Sequence, residues 1–377
     1  MRDRYGVGIV TTVAKLARMI SKTHVPERIE QVTPAAPPIK LANPAPSTQR
    51  RETDPAQRYL AILNDPLYSC LVGLQDLVSY ETALFWRARQ VRTLHLPITT
   101  GSISSPMGLG SDSLPVKIDM FGVPTYLADS MQFMLEYGCR LTGDGCYYVM
   151  PSFRGEQADA THLSQFFHSE AEIPGGLDEV IAVADEYVRH LAAAVLEHLS
   201  AEVAESAGGT EHIEQFLAST SARMTFAEAV HALDGDPTCF ETHEGWRTIT
   251  RAGERRLIEL YGPGVWLTHH DQLSVPFYQA VDATGEQALN ADLLLGPGEV
   301  IGCGERHTLA SDVRTALRAH AVPESDYQWY VDMKDHRPLH TSGFGMGVER
   351  FLMWVLRRSD IRDLQLVERY NGQITVP

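Results

Sequence analysis

The stretch GFGMGVERFLMWVLRR, residues 343–358, sets three alternate glycines and a Glu–Arg pair directly before an apolar run with helical spacing. A dinucleotide-binding fingerprint opens a βαβ unit with an acidic residue about 20 positions further on, whereas only residues 351–377 follow Arg350. No GxxxxGK[ST] phosphate loop occurs elsewhere in the chain. Two interpretations remain: a strand and a helix that approach closely with Arg350 directed at a phosphate, or a glycine-rich turn with a surface arginine.

A second group of polar and aromatic residues lies in residues 151–172. Arg154, Glu156, His162 and Phe166 follow one another along a predicted strand–loop–strand. Because alternate residues of a strand face the same side, these side chains can line one cleft, where they would clamp a triphosphate and stack a purine. The alternative is a hairpin with an ordinary salt bridge and a histidine whose hydrogen bonds are satisfied within the protein.

Composition predicts one large domain, or a large domain that carries an insert. The chain has 377 residues, of which 44% are hydrophobic, and it contains no unbroken apolar run of about 18 residues. Five scattered cysteines without a CxxC pair suit neither a disulfide framework nor a zinc ribbon. We therefore expect a soluble, cytoplasmic protein with no membrane partner. The net charge of −16 argues weakly against non-specific nucleic-acid binding.

The first 54 residues differ in composition from the remainder. They include the stretch PAAPPIKLANPAPSTQRRETDP, in which the prolines prevent regular helical or ladder hydrogen bonding. We expect residues 1–54 to be a flexible arm and residues 55–377 to form the folded domain.

Within that domain the hydrophobic pattern predicts an α+β fold. Residues 56–92 have helical spacing and lead into a predicted strand that contains Pro97. Further strands are predicted within 115–152 and 288–302, and a helical insertion at about 174–262. The expected architecture is an antiparallel sheet flanked by helices, with this insertion.

The two motif-bearing segments also resemble those of a known family. FRGE (153–156) with HLSQFFHSEAE (162–172) resembles motif 2, and GFGMGVERFLMW (343–354) resembles motif 3, of class II aminoacyl-tRNA synthetases of the aspartate, asparagine and lysine group. The helix before Pro97 resembles motif 1, the dimer-forming element of that family. The likeness covers about residues 56–377 and is greatest to asparaginyl-tRNA synthetase catalytic domains and to asparagine-synthetase-related paralogues that lack an anticodon-binding domain.

The resemblance assigns five residues to ATP. Arg154 resembles the arginine that holds the α-phosphate and the amino-acid carboxylate, and Arg350 resembles the arginine on the γ-phosphate. Phe166 resembles the aromatic residue that stacks on adenine. Glu156 resembles an adenine-side or loop-ordering residue, and His162 a contact to the phosphate tail.

Two carboxylates are assigned to a metal by the same resemblance. Asp292 and Glu299, in ADLLLGPGE (291–299), resemble the acidic pair that binds Mg²⁺ on the ATP. Magnesium prefers hard oxygen ligands and shares them with phosphate oxygens. Two unrelated surface carboxylates are the alternative. ATP and Mg²⁺ are therefore the expected cofactors.

Five positions bear on the amino-acid substrate. Arg306 resembles the arginine that grips the side-chain carboxylate or carboxamide oxygen, and Gln132 resembles a glutamine that meets the substrate from a strand. Aspartate-specific relatives typically have lysine three residues after that glutamine, where this chain has Leu135. Glu136 resembles the asparaginyl enzymes' acceptor for the side-chain NH₂, with a structural salt bridge as the alternative. Asp112 is expected either to close over the α-amine or to belong to a plain flexible loop.

The chain departs from the family pattern at several positions. The motif 2 loop is about one residue shorter, and Thr161 stands where an arginine usually precedes the histidine. Gln165 replaces a glutamate before the aromatic, Cys303 a glycine and Glu305 a glutamine. These changes surround the ATP tail and the substrate side chain.

The resemblance implies that aspartate, asparagine or a close analogue is activated by ATP as an aminoacyl adenylate. The chain has a Pro-rich segment where an anticodon-reading barrel would precede the catalytic domain, so we expect ammonia, a small amine or a carrier as the acceptor, as in a stand-alone asparagine-synthetase-like ligase, rather than tRNA. Motif 1 implies a homodimer. Two alternatives stay open: a minimal tRNA-charging or tRNA-modifying enzyme, and a catalytically inactive amino-acid sensor or partner subunit.

Overall fold

The computed structural model describes residues 58–104, 113–233, 236–369 and 372. These residues contain thirteen strands: β1 (Arg92–Thr93), β2 (Thr99–Thr100), β3 (Val116–Met120), β4 (Val123–Leu127), β5 (Cys146–Phe153), β6 (Gln165–Pro174), β7 (Ala222–Thr225), β8 (Phe240–His243), β9 (Trp246–Ile249), β10 (Val265–Thr268), β11 (Asn290–Leu295), β12 (Gly298–Glu305) and β13 (Thr341–Gly347). The same residues contain eleven α-helices: α1 (Arg58–Ala61), α2 (Pro66–Ala88), α3 (Gln132–Thr142), α4 (Leu177–His198), α5 (Ser200–Ala207), α6 (Glu211–Ala218), α7 (Phe226–Ala232), α8 (Arg251–Tyr261), α9 (Ala310–Ala319), α10 (Gln328–His336) and α11 (Val348–Val355).

Eight of these strands form a central sheet in the order β1-β5-β6-β13-β12-β11-β10-β7. The five inner pairs are antiparallel, and only the edge pairs β1–β5 and β7–β10 are parallel. Strands β2, β4 and β3 form a separate small sheet, and β8 pairs with β9. The predicted α+β class, an antiparallel sheet flanked by helices, is confirmed.

The register of the central sheet aligns one row of residues across four strands. Glu170 on β6 lies opposite Gly345 on β13, which lies opposite Gly302 on β12, which lies opposite Asp292 on β11. Directly opposite residues of antiparallel strands point to the same face. All four positions therefore belong to one side of the sheet.

The other side of the sheet carries the main hydrophobic core. Phe344 of β13 packs between Trp86 of α2, with ring centroids 5.9 Å apart, and Tyr187 of α4, at 5.6 Å. The Tyr187 hydroxyl also lies within hydrogen-bond distance of Thr82 (2.6 Å) and Ser169 (2.8 Å). This buried link joins both helices to β6, so the apolar side is closed and the opposite side is left for a site.

Helix α4, which covers this core, begins at a local capping signal. The Glu179 side chain accepts the backbone N–H of Gly176 at 3.0 Å, which satisfies a donor that the helix itself cannot pair. Val180, Ala184 and Val188 then recur at helical spacing and are fully buried.

Two strand predictions are wrong. Pro97 lies between β1 and β2 rather than inside a strand, where its missing N–H disturbs no ladder. Gln132 begins helix α3 instead of lying on a strand, and its N–H donates to Ser130 Oγ at 3.1 Å. The buried residues of α3, which include Phe133 and Cys139, follow helical spacing.

Further expectations concern the helical insertion and the N-terminal arm. The segment 174–262 is mainly helical, but it also supplies β7 to the central sheet and the β8–β9 hairpin. The expected arm at 1–54 and Asp112 lie outside the described residues. Within the described ranges, no helix is long and apolar enough to cross a membrane.

Candidate active site

The polar side of the central sheet has a floor of glycines on two neighbouring strands: Gly302, Gly304, Gly343 and Gly345. A Cβ atom added to Gly343 would overlap Glu172 Oε2 and would lie 2.9 Å from Arg306 Nη2. Because these four positions have no side chain, charged side chains from neighbouring residues can lie directly over the sheet.

One cleft on this side is lined by residues expected to bind ATP and its metal: Arg154, His162, Phe166, Glu299 and Arg350. The Arg154 guanidinium lies 5.4 Å from the centroid of the Phe166 ring. Arg350 Nη1 donates to the Glu299 carbonyl oxygen at 2.8 Å and lies 3.4 Å from Glu299 Oε2. Two fixed positive charges and an aromatic ring thus share one cleft, which suits a purine joined to phosphates.

Glu156 lies beside the cleft and orders the adjacent chain. Its Oε1 is 3.9 Å from Arg154 Nη1, and its Oε2 accepts the backbone N–H of Leu114 at 3.1 Å. A second bond joins the same two segments, because the Gly155 N–H donates to the Leu114 carbonyl oxygen at 2.7 Å. Of the two roles expected for Glu156, these contacts match loop ordering.

His162 contacts an arginine that sequence reasoning did not single out. Nη2 of Arg251, the first residue of α8, lies 2.7 Å from His162 Nε2, and His162 Nδ1 lies 3.2 Å from Asp159 Oδ2. Arg251 and His162 line a continuation of the cleft beyond Arg350. The sequence carries no local signal for Arg251, because it comes from the segment predicted as an insertion.

The expected metal ligands lie together at the β11–β12 end of the floor. An added Cβ on Gly302 would lie 3.0 Å from Glu299 Oε1 and 3.5 Å from Asp292 Oδ1. Burial and the neighbouring carboxylates of Glu299 and Glu254 raise the pKa of Asp292 well above its usual value, and burial and Glu299 raise that of Glu254 to about 7. One partner already competes for Asp292, since His270 Nε2 lies 3.3 Å from its Oδ2.

This donor set fits Mg²⁺ held jointly with a nucleotide. Carboxylates that resist ionisation beside one another are stabilised by a cation, and carboxylate oxygens are the donors that Mg²⁺ prefers. Among the described residues, no group of three or more side chains is arranged to hold a metal ion by itself. Phosphate oxygens and water molecules would complete the coordination.

The expected amino-acid residues meet at Arg306, which is buried at the other end of the floor. Arg306 forms a salt bridge with Glu172 at 3.1 Å. Its Nη1 lies 3.1 Å from Gln279 Oε1, and its Nη2 lies 3.4 Å from Gln132 Oε1. The Tyr278 ring lies under the guanidinium, with its centroid at 5.5 Å. Gln132 and Arg306 are thus brought together as the sequence predicted, although Gln132 reaches the site from a helix.

Glu136 lies in a fully buried network next to this site. Its Oε1 accepts from the Tyr330 hydroxyl at 2.6 Å, its Oε2 pairs with Lys334, and Arg140 Nη1 lies 3.6 Å from that oxygen. Both carboxylate oxygens are therefore engaged by protein groups, so contact with a substrate NH₂ would require one of these bonds to open. Direct recognition by Glu136 stays a prediction.

A second buried carboxylate, missed by sequence reasoning, lies in the centre of the floor. Glu170 Oε2 accepts from Ser130 Oγ at 2.6 Å and from the Tyr148 hydroxyl, while Oε1 lies 3.1 Å from His168 Nδ1. Burial raises the pKa of Glu170 to about 7. The signal in the sequence was the alternation of polar residues in HSEAE (168–172), which places His168 and Glu170 on the same side of β6.

His168 is neutral in this setting. Burial, followed by the charges of Arg154 and Arg350, lowers its pKa to about 3. Its Nδ1 also lies 2.9 Å from Ser152 Oγ. The imidazole therefore contributes hydrogen bonds rather than charge between the two arginines.

Known proteins share both the sequence pattern and this fold. A family model described as tRNA synthetases class II (D, K and N) matches residues 50–369. The asparagine–tRNA ligase of Desulfitobacterium hafniense is 26% identical over 79% of this chain and 69% of its own length. That of Rhodopirellula baltica is 28% identical over 80% of this chain and 66% of its own length.

Solved structures agree at the level of the fold. Asparaginyl-tRNA synthetase from Pyrococcus horikoshii, complexed with asparaginyl-adenylate, superposes with a TM-score of 0.78 at 23% identity, over 85% of this chain and 73% of that one. Asparaginyl-tRNA synthetase from Entamoeba histolytica, in complex with asparaginyl-adenylate, superposes with a TM-score of 0.74 at 21% identity, over 87% of this chain and 73% of that one. Since the family match spans most of the described residues, the chain belongs to the tRNA synthetases of class II (D, K and N), a family of ATP-dependent ligases.

Proposed function

We propose that this chain activates asparagine with ATP as an aminoacyl adenylate and transfers it to tRNA. The observation that carries the proposal is the position of the Arg154–Phe166–Arg350 cleft and the Arg306 site on one continuous glycine floor. A nucleotide in the first site and an amino acid in the second would meet above that floor. The coarser assignment, to class II ligases of the aspartate and asparagine type, rests on the family match.

The chemistry needs no protein nucleophile. An oxygen of the amino-acid carboxylate attacks the α-phosphorus, the bond from that phosphorus to the oxygen bridging to the β-phosphate breaks, and pyrophosphate leaves. The hydroxyl of the acceptor then attacks the carbonyl carbon, and AMP leaves with the electron pair of the carbon–oxygen bond. Catalysis depends on orientation and on charge stabilisation. Mg²⁺ on Asp292 and Glu299 would neutralise charge on the phosphates.

The protein groups have separable tasks in this proposal. Phe166 holds the adenine ring, and Arg154 neutralises the α-phosphate where charge develops. Both are placed before substrate arrives, since they come from the β5–β6 hairpin. The buried Glu170 carboxylate, supported by Ser130, offers the α-ammonium group of the amino acid a counter-charge.

Asparagine is favoured over aspartate by the acceptors around Arg306. The amide oxygens of Gln132 and Gln279 both point toward this guanidinium. A substrate carboxamide can give its oxygen to Arg306 and its N–H groups to these acceptors, whereas a carboxylate has no N–H and would set its second oxygen against them. The names of the matched relatives, asparagine–tRNA ligases, support the same choice.

Transfer to tRNA replaces the expectation of ammonia, a small amine or a carrier as the acceptor. That expectation depended on the Pro-rich composition of the segment before the catalytic domain and has no support from the relatives, which are named for tRNA. A homodimer stays a prediction from motif 1, and the inactive-sensor alternative stays open until the test below.

The test separates the two half-reactions. Exchange of labelled pyrophosphate into ATP is measured with asparagine, aspartate and their analogues. AMP release is then measured with tRNA, or with ammonia, added to the preformed adenylate. We expect exchange with asparagine, its loss in Arg350→Ala, and AMP release driven by tRNA. Exchange with aspartate alone would overturn the substrate, release by ammonia alone would overturn the acceptor, and no exchange with any acid would overturn the activity.

A further inference from the structure

Beyond Arg350 the cleft continues into a space between the motif 2 loop and helix α8. It is lined by Thr161, His162, Arg251, Glu254, Glu299 and Arg350, together with Arg154. Three guanidinium groups therefore surround one cavity that opens from the adenine end. Two carboxylates, Glu254 and Glu299, line the same cavity, so it suits a polyanion that arrives with a divalent cation.

The contact between Arg251 and His162 fixes the protons of the imidazole. A guanidinium has only donors, so His162 Nε2, at 2.7 Å from Arg251 Nη2, must accept. The ring proton then resides on Nδ1, which faces Asp159 Oδ2 at 3.2 Å. With one nitrogen accepting and the other donating to Asp159, His162 has no N–H left for a phosphate in this arrangement.

Arg251, by contrast, keeps unused donors, and its charge opposes the rise in the pKa of the neighbouring Glu254 carboxyl. Among the described residues it forms no ion pair with a carboxylate, and the hydrogen bond to His162 uses one of its five N–H groups. Its neighbour in the cavity, Thr161, supplies no cation, and both its N–H and its hydroxyl donate to Asp159 Oδ1 at 2.7 Å. An arginine from α8 therefore provides the positive charge that the motif 2 loop lacks at this end of the cleft.

We propose that Arg251 binds the β- and γ-phosphates of ATP, and pyrophosphate in the reverse reaction, and that His162 is the residue that positions it. The inference rests on the proposed function for the identity of the nucleotide. It adds a phosphate-binding residue, Arg251, from outside motifs 2 and 3. It also changes the role of His162 from contacting a phosphate to positioning Arg251. AMP lacks these phosphates, so its affinity should not depend on Arg251.

The experiment compares equilibrium binding of ATP with Mg²⁺, of AMP and of pyrophosphate to wild-type protein and to Arg251→Ala. We expect ATP and pyrophosphate to bind about 10- to 100-fold more weakly, the range for loss of a charged hydrogen bond, with AMP unchanged. The matched control is Arg256→Ala, since Arg256 is exposed on the same helix and pairs with Glu259 at 3.1 Å. This control should bind all three probes as wild type does.

A second variant tests the positioning role. His162→Ala should weaken ATP binding less than Arg251→Ala does, and the double variant should be no weaker than Arg251→Ala alone, because the histidine acts through the arginine. Additive losses would overturn the positioning role. Unchanged ATP binding in Arg251→Ala, or equal loss of ATP and AMP, would overturn the assignment of Arg251. Because binding is measured without an amino acid, these outcomes stay distinct from a failure of asparagine activation.

Discussion

Arg306 and Glu172 form a salt bridge of 3.1 Å in which the two side chains are only 3% and 0% exposed. A buried guanidinium is stable only when its charge and its donors are matched, and here Glu172, Gln279 and Gln132 all accept from it. Arg306, the proposed substrate arginine, is therefore held in one orientation before any ligand arrives. Such preorganisation favours binding, because little side-chain freedom is left to lose.

We expect Arg306→Lys to lower kcat/KM for asparagine in pyrophosphate exchange by about 100-fold. Lysine keeps the charge but loses the planar fork that contacts three acceptors at once, and the loss of two hydrogen bonds that together contribute about 2.7 kcal/mol corresponds to that factor. The affinity for ATP without amino acid should not change, because Arg306 lies outside the nucleotide cleft. Arg318→Lys, on an exposed residue, is the control. Exchange within threefold of wild type would contradict the assignment of Arg306.

The Lys334–Glu136 pair leads to a stability prediction. Both side chains are essentially fully buried. Lys334→Met would leave the Glu136 charge to Tyr330, Arg140 and the more distant Arg306. Breaking one side of a buried pair costs about 3 kcal/mol, and we expect that loss in the free energy of unfolding by urea. The double variant Lys334→Met with Glu136→Gln should recover most of it. If the double variant were as unstable as the single one, the loss would come from packing rather than charge.

Much of the nucleotide end could be predicted from sequence, because it is built from two short segments. Arg154 and Phe166 come from the β5–β6 hairpin, and Arg350 follows β13, which pairs directly with β6. Motif spacing in such neighbouring strands translates almost directly into proximity. Asp292 and Glu299 are likewise joined through the β11–β12 pair.

The residues that were missed depend on long-range packing. A lysine in the sequence YVDMKD (330–335) is ordinarily expected at the surface, and the partner of Lys334 lies 198 positions away. Arg251 reaches His162 across 89 positions from a helix whose own sequence pattern gives no hint of a ligand. Gln132 was placed on a strand by the family resemblance, whereas the buried residues that follow it have helical spacing.

Glu349, buried at the start of α11, leads to the pH prediction. Its Oε2 accepts the backbone N–H of Phe167 at 3.0 Å, and burial raises its pKa from 4.5 to about 7. The folded state therefore holds a proton that the unfolded state has already released between these pH values, so the free energy of unfolding falls as pH rises through this window. Between pH 6 and pH 8, ionisation of this carboxyl should lower the free energy of unfolding of wild type by about 1 kcal/mol.

Glu349→Gln keeps an acceptor for the Phe167 N–H but has no titrating proton. Its free energy of unfolding should therefore fall by about 1 kcal/mol less than that of wild type over the same range. Glu259→Gln, on an exposed residue, is the control and should follow wild type. The free energies of unfolding are measured by urea denaturation at each pH. If they changed equally with pH in wild type and in Glu349→Gln, Glu349 would ionise normally, and the Phe167 N–H would by itself be enough to stabilise a buried carboxylate.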